Sequence, residues 1–187
     1  MRCFVAIDID KDLREGIASI QEDLRRRLSG SVGAVKWVRP EQIHLTLKFL
    51  PEVDEQMLPQ LYEAVALSVS GHERFSFEMP CLGSFGSPIR VVWIGPDSEI
   101  DALVKLQRDI EKALAESGWP EEDRPFSAHL TLARIKNRLR DNRLANMIRD
   151  YGRLNLAAVK VDSVAVYKSQ LTPNGPVYTL LSRTGLK

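Results

Sequence analysis

The sequence has few cysteines and no long apolar run. Only two cysteines occur among its 187 residues, and Cys3 and Cys81 do not form the CxxC spacing of zinc and redox sites. We therefore predict reduced, buried thiols in a cytoplasmic protein, with a disulfide as the open alternative. No apolar segment approaches the roughly 20 residues that span a bilayer. The short run at 4–7 also lacks the features of a signal peptide, so we expect no membrane contact.

An excess of charge of one sign is also missing, because the formal net charge is only +1 at pH 7. This balance disfavours a protein that binds duplex nucleic acid through many phosphate contacts. The charges are unevenly spread: residues 97–123 contain nine acidic and three basic side chains, whereas residues 134–149 contain six basic side chains and one acidic one. The basic segment is either a solvated surface, or its positive charges attract the end of a polyanion.

Histidine is rare, and two of the three histidines lie in a repeated word. The tetrapeptide HLTL occurs at residues 44–47 and again, 85 residues later, at 129–132. Because histidine titrates near neutral pH, two of them in one pocket can act as proton donor and proton acceptor. If each copy is a strand, side-chain alternation places His44 beside Thr46 and His129 beside Thr131, with the leucines turned into a core.

The apolar pattern predicts helices and strands in a repeated order. Helical stripes begin near Leu13, Leu58 and Ile100, and a fourth helix is expected at about residues 140–150. Gly30 to Gly33 should end the first helix, and Asp97 and Ser98 are candidate caps for the third. Strands are predicted at residues 3–8, 35–38, 44–50, 75–80, 91–94, 129–135, 161–168 and 177–181.

Each copy of the motif is thus a strand between two helices. The 85-residue period is too long for a solenoid or propeller repeat, so two copies of an α+β half are favoured. We predict that residues 1–187 form a single bilobal domain with an internal duplication centred on His44 and His129. A pseudo-twofold arrangement would place these two histidines opposite each other.

Two other site chemistries compete with metal-free acid and base catalysis. A zinc site needs about three protein ligands, but neither motif has a cysteine or carboxylate in the five residues after its histidine. A serine nucleophile is disfavoured because no GxSxG elbow occurs, and Ser127 is more simply a polar residue at a strand edge. We therefore expect no metal and no cofactor. His72, between a helix and a strand, is expected to be a solvated turn residue.

Several segments together resemble a known family. They are the two HxTx motifs, Trp37 and Pro40, the run at 47–50, the block at 125–128 with Ala133 and Arg134, Ser169 and Leu171, and Gly175, Pro176 and Tyr178. In these segments the whole chain is similar to the two-histidine phosphoesterases. The greatest similarity is to the bacterial and archaeal RNA 2′,3′-cyclic phosphodiesterases, historically called 2′-5′ RNA ligases.

The resemblance implies a fold and a reaction. The expected fold is α+β with two pseudo-symmetric lobes, each an antiparallel β-sheet with helices packed outside, and an active-site cleft between them. The expected reaction opens a terminal ribonucleoside 2′,3′-cyclic phosphate to a 2′-phosphate. By resemblance, His44 is the proton donor and His129 the proton acceptor, although the symmetry of the sequence alone cannot choose between them. Run in reverse, the same pair would make a 2′-5′ linkage.

The phosphate contacts follow from the same motifs. Thr46 and Thr131 would donate hydrogen bonds to the non-bridging oxygens, and the resemblance implies that Arg134 stabilises the charge there. Strict alternation puts Arg134 on the leucine face, so this role requires a bulge between Thr131 and Arg134. Alternation also puts Lys48 on the face of His44.

The substrates implied are RNA ends or nucleotides that carry a 2′,3′-cyclic phosphate, and we expect a monomer. Phe126, Phe85 and Trp37 are candidates for stacking on a base but are equally plausible as core residues. The segment from Gly83 to Gly86 is expected to be a loop or an ordinary turn. A related phosphodiesterase acting on ADP-ribose cyclic phosphate or 2′-5′ oligoadenylate, and a non-catalytic module that binds RNA ends, are the alternatives.

Overall fold

The computed structural model describes residues 1–28, 35–136, 143–173 and 175–187, and in these it has the predicted α+β fold. The described residues contain four α-helices: α1 (Lys11–Arg27), α2 (Leu58–Val69), α3 (Asp101–Glu116) and α4 (Arg143–Asp150). Their strands are β1 (Cys3–Asp8), β2 (Val35–Trp37), β3 (His44–Leu50), β4 (Phe75–Phe77), β5 (Cys81–Phe85), β6 (Val91–Gly95), β7 (Leu130–Ile135), β8 (Val159–Val161), β9 (Ser163–Thr172) and β10 (Gly175–Gly185). None of the described helices is both long and apolar enough to cross a membrane.

The first helix begins at Lys11 and contains the apolar stripe predicted from Leu13 onwards. The Asp10 side chain accepts a hydrogen bond from the Leu13 amide at 2.9 Å, and Ile17 and Leu24 of the apolar stripe are fully buried. The predicted glycine stop at 30–33 lies outside the described residues. For α3 the predicted caps are wrong: the helix begins at Asp101, and the Asp97 carboxylate instead lies 2.6 Å from the Arg153 guanidinium.

The larger sheet is antiparallel and consists of two groups of strands. Its order is β10-β9-β1-β3-β7-β6-β5, and β2 also pairs with β7. The two groups meet between β3 and β7 at a single residue pair, Leu45 with Leu130. These are the same position in the two HLTL motifs, so a local twofold rotation relates the paired strands. The internal duplication of the whole chain stays a prediction.

A second, smaller sheet pairs β4 with β8. Residues 81–85 form β5, which was not predicted, so the expectation of a loop or turn from Gly83 to Gly86 is wrong for most of that segment. The strand β8 was not predicted separately from β9 either. The glycine at 83 is needed for packing, because a Cβ there would lie 2.3 Å from the indole ring of Trp93. The two cysteines are free, with Cys3 buried and Cys81 partly buried.

A β-bulge interrupts the alternation in β3. Thr46 pairs with Ala6 and Lys48 pairs with Val5, so Leu47 is an extra residue on β3. The bulge reverses the faces that follow, and the prediction for Lys48 is therefore wrong. Its side chain is buried, with its Nζ 2.5 Å from Glu111 Oε1, whereas Phe49 is 44% exposed.

Candidate active site

One cavity at the junction of β3 and β7 brings together all five residues that the sequence predicts for the site. These are His44, Thr46, His129, Thr131 and Arg134. The other residues that line the cavity come from β2 and the residue after it, from the short 3₁₀ turn at Pro40–Gln42 and the residue after it, and from β10: Lys36, Trp37, Val38, Gln42, Ile43, Pro176 and Tyr178. The Gln42 side-chain amide donates to the Pro176 carbonyl at 2.5 Å, which holds the turn against β10.

The two imidazole rings are held by equivalent contacts. Nδ1 of His44 lies 2.8 Å from the Gln42 carbonyl oxygen, and Nδ1 of His129 lies 2.8 Å from the Ser127 carbonyl oxygen. A carbonyl can only accept, so each Nδ1 carries a proton and donates it. In the neutral ring this leaves Nε2 as the acceptor, and in the charged ring Nε2 becomes a donor. Either histidine can therefore give or take a proton at Nε2.

Aromatic rings enclose His44. Its ring stacks on Phe4, with centroids 4.5 Å apart, and meets the edge of Tyr178 at 5.3 Å. Burial lowers the pKa of His44 below its usual value of 6.5, because an apolar environment disfavours the charged ring. The hydrogen bond to the Gln42 carbonyl and the negative charge of Asp8 act in the opposite direction, and positive charge on His129 lowers the pKa further. The two histidines are thus close enough to interact electrostatically.

A polar network centred on Asp8, which pairs with His44 across β1 and β3, lies next to Phe4. The Tyr167 hydroxyl lies 2.9 and 2.8 Å from the two carboxylate oxygens of Asp8, and the Arg183 guanidinium lies 2.5 Å from the same carboxylate. The Tyr167 ring also stacks on Phe4 at 5.3 Å. Burial and the Asp8 carboxylate raise the pKa of Tyr167, so its hydroxyl keeps its proton and donates it. Sequence reasoning missed this network, because its members are far apart in the chain.

The second motif has the same bulge as the first. Thr131 pairs with Trp93 and Ala133 pairs with Val92, so Leu132 is the extra residue on β7. This bulge lies between Thr131 and Arg134, where the sequence required one. It turns Ala133 into the core and Arg134 towards the cavity.

Lys36 is a cavity residue that sequence reasoning missed. It pairs with Arg134 across β2 and β7 and also lines the cavity, so two cations lie side by side at its rim. Like charges directly opposite each other on neighbouring strands are unfavourable unless an anion lies between them. The sequence did place Lys36 on a predicted strand, directly before Trp37. Nothing in the local sequence indicated that this strand pairs with the second motif.

The candidates for base stacking lie in three different places. Trp37 lines the cavity, and the Arg25 guanidinium lies 5.0 Å above its ring. Phe85 meets the ring of His129 edge to face at 5.0 Å and supports that histidine. Phe126 lines a separate hollow beside α3. Trp37 is therefore the candidate whose position suits contact with a ligand in the cavity.

The third histidine is not a solvated turn residue, and that prediction is wrong. His72 is 8% exposed, and its Nε2 lies 2.9 Å from Asp109 Oδ2. The backbone of His72 is also bonded, because the Lys187 amide donates to the His72 carbonyl at 2.9 Å. Within the described residues no group of three or more His, Cys, Asp and Glu side chains is arranged to hold a metal ion.

The described residues include only part of the basic segment after the second motif, since Arg138 and Arg140 lie outside them. Arg134 lines the cavity, while Arg149 forms an ion pair with the neighbouring Asp150 at 3.0 Å. The attraction of a polyanion end to this segment stays a prediction.

The fold and the paired motifs define a two-histidine phosphoesterase. The family described as LigT-like phosphoesterase matches residues 7–93 and again residues 94–178. The chain belongs to this family.

Several relatives match along nearly the full length. The RNA 2′,3′-cyclic phosphodiesterase of Methanothermobacter thermautotrophicus is 34% identical, and the match covers 96% of this chain and 95% of that protein. The protein of the same name from Archaeoglobus fulgidus is 36% identical, with 95% and 96% covered.

Solved structures show the same fold. A crystal structure of a protein from Thermus thermophilus superposes with a TM-score of 0.82 at 26% identity and covers 100% of this chain and 98% of that one. E. coli LigT complexed with 3′-AMP has a TM-score of 0.79 at 24% identity, with 99% and 97% covered. Both superpositions include both halves of the chain.

Proposed function

We propose that the protein hydrolyses terminal ribonucleoside 2′,3′-cyclic phosphates to 2′-phosphomonoesters, without a metal ion. The observation that carries this proposal is the cavity in which two HxT motifs meet, each with its histidine fixed through Nδ1 and its Nε2 able to exchange a proton. The names of relatives about 34% identical, which are RNA 2′,3′-cyclic phosphodiesterases, support the same reaction. The substrates are RNA ends or nucleotides with a cyclic phosphate.

The reaction requires one neutral and one protonated imidazole. Nε2 of neutral His129 accepts a proton from water while the water oxygen attacks phosphorus. The bond between phosphorus and the 3′ oxygen breaks, and Nε2–H of protonated His44 gives its proton to that oxygen. The products are a 3′-hydroxyl and a 2′-phosphate, and the two histidines have exchanged protonation states.

The lowered pKa of His44 affects how it becomes the donor. At neutral pH the unliganded protein holds His44 mainly uncharged, because the ring is buried. A bound phosphodiester anion favours the charged ring, since an opposite charge nearby raises an imidazole pKa. We therefore propose that His44 takes up its proton as the cyclic phosphate binds, helped by the negative charge of Asp8.

The remaining cavity residues stabilise the charge on the phosphate. Thr46 and Thr131 donate hydrogen bonds to its non-bridging oxygens, and Arg134 adds a charge-assisted contact. Lys36, beside Arg134, supplies a second positive charge at the rim. Trp37 provides a flat surface for the terminal base. The protein acts as a monomer in the cytoplasm in this proposal.

The test is to incubate purified protein with RNA that ends in a 2′,3′-cyclic phosphate, in excess chelator, and to identify the product. We expect undiminished turnover and a product with the phosphate at the 2′ position. A 3′-phosphate, or activity restored only by added zinc or manganese, contradicts the proposal. A parallel panel of ADP-ribose cyclic phosphate and 2′-5′ oligoadenylate identifies the alternatives, and binding of the RNA end without turnover identifies a non-catalytic module.

A further inference from the structure

A fully buried glutamine on α1 contacts the bulge of the second motif. Gln21 has no exposed surface, and its Nε2 lies 2.8 Å from the Val38 carbonyl oxygen and 2.9 Å from the Leu132 carbonyl oxygen. Both amide hydrogens are thus used. Its Oε1 is buried without a hydrogen-bond partner in the described part of the chain. A buried, unpaired acceptor is costly, so packing alone does not account for a glutamine at this position.

The bonded carbonyl belongs to the residue that makes the bulge. Leu132 is the extra residue of β7, and its carbonyl oxygen also accepts from the Val38 amide at 2.9 Å. Extra residues in a bulge are left out of the regular ladder, so their backbone groups need other partners. Gln21 and Val38 are the partners of the Leu132 carbonyl. The bulge is also what puts Thr131 and Arg134 on the same face of β7.

The first motif has a weaker counterpart. Gln107 on α3 directs its Nε2 at the carbonyl of Leu47, the extra residue of β3, at 3.4 Å. The same nitrogen lies 3.3 Å from Glu111 Oε2. Each glutamine therefore reaches from the helix of one half to the bulge of the other half. The contact of Gln21 is shorter, and it belongs to the bulge that is followed by the arginine in the cavity.

We propose that Gln21 is a positioning residue that holds the Leu132 bulge in the register that aims Arg134 at the bound phosphate. It touches no substrate and acts through the backbone of β7. The inference rests on the proposed function only in taking Arg134 as the phosphate contact. Loss of the amide would let the bulge relax towards regular pairing, which turns Arg134 towards the leucine face.

A double-mutant cycle tests this role, because two residues that act through one contact are not additive. The variants are Gln21→Met, which removes both donors at similar volume, Arg134→Ala, and the double change. The measurement is the affinity for inorganic phosphate by calorimetry, which needs no turnover. We expect Gln21→Met to weaken phosphate binding by about three- to tenfold alone, and by less than about twofold when Arg134 is already alanine.

The control is Gln107→Met, which loosens the other bulge. Its effect on phosphate affinity is expected to be the same with and without Arg134. Equal effects of Gln21→Met in both backgrounds would overturn the positioning role, as would wild-type protein that fails to bind phosphate. If Gln21→Met does not fold, Gln21→Ser enters the same cycle, because its smaller side chain leaves room for water to reach the two carbonyls.

Turnover of cyclic phosphate is measured on the same proteins. A non-additive phosphate cycle in a protein without turnover would remove the proposed reaction and keep the role of Gln21. An additive phosphate cycle in a protein that turns over cyclic phosphate would remove the role of Gln21 and keep the proposed reaction. The two failures are therefore distinguishable.

Discussion

The imidazole of His44 lies almost parallel to the phenyl ring of Phe4, with centroids 4.5 Å apart and 17° between the planes. Polar groups lie next to this stack, since Tyr167 also stacks on Phe4 and donates its hydroxyl proton to Asp8. His44 therefore packs against an apolar ring and also feels the negative charge of the Asp8 carboxylate. The first disfavours its charged form and the second favours it, and burial is the larger effect.

This arrangement predicts an unusual titration of His44. In the free protein its NMR midpoint should lie below 6.5, and Asp8→Asn should lower it further because a favourable negative charge is lost. Added phosphate should raise it. A midpoint at or above 6.5 in the unliganded protein would contradict the account of the His44 environment.

The same shift predicts how His44 affects stability. The unfolded chain binds a proton near pH 6.5 and the folded chain only at lower pH, so the unfolded state holds more protons in between. The contribution of neutral His44 is present above pH 6.5 and is lost as the pH falls towards the folded pKa. Chemical denaturation of wild-type protein and of His44→Leu should show a shallower decline below pH 6.5 for the variant.

Replacing Arg134 tests the phosphate contact. Arg134→Ala should reduce turnover of a cyclic phosphate by about one to two decades, because a hydrogen bond to a charged group contributes about 1.5 to 3 kcal/mol. The fold should persist, since this side chain is exposed at the cavity. The matched control is Lys112→Ala, which removes an exposed cation on α3 and should leave the rate unchanged. Equal rates for both variants would exclude Arg134 from the phosphate site.

Replacing Lys36 should also reduce turnover, but by less than replacing Arg134. Lys36→Met should reduce kcat/KM by up to about fivefold at low salt, since an exposed charge contributes roughly 0.2 to 1 kcal/mol. The loss should shrink at high ionic strength, where exposed charges are screened. Lys36→Arg keeps the charge and should keep the rate. A salt-independent loss would indicate that Lys36 acts through packing of β2 and not through its charge.

His72 should matter for stability and not for catalysis. His72→Ala removes a buried side chain bonded to Asp109, and the expected cost in the free energy of unfolding is about 1 to 3 kcal/mol. Turnover measured well below the melting temperature should be near normal, because His72 does not line the cavity. A large loss of turnover in folded His72→Ala would contradict the assignment of the reaction to the other two histidines.

The motifs themselves were readable from the sequence, because alternation over three residues places each histidine beside its threonine. The strand bounds of β1 and β3 were also predicted. The bulges at Leu47 and Leu132 were not visible locally, and they decide the faces that follow. Lys48 was therefore assigned to the wrong face, while Arg134 could be placed only on condition that a bulge existed.

Contacts between distant parts of the chain were beyond the sequence. Tyr167 and Arg183 reach Asp8 from the other end of the chain, and Lys36 reaches Arg134 through β2. His72 was predicted to be solvated because its neighbours Gly71 and Glu73 suggest a turn, but its side chain is buried and bonded to the distant Asp109. These contacts depend on which strands pair, and local sequence patterns do not show which strands pair.

The most direct test of the two-histidine mechanism is a mutant cycle on His44 and His129. Because both act in one step, either change to alanine should reduce turnover of RNA 2′,3′-cyclic phosphate by about 10² to 10⁴, and the double variant should be far less than multiplicatively worse. The wild-type pH profile should be bell-shaped, with apparent pKa values that belong to the coupled pair. Near-normal turnover in either single variant, with its fold verified by circular dichroism, would mean that the repeated motif is architectural and would contradict the account.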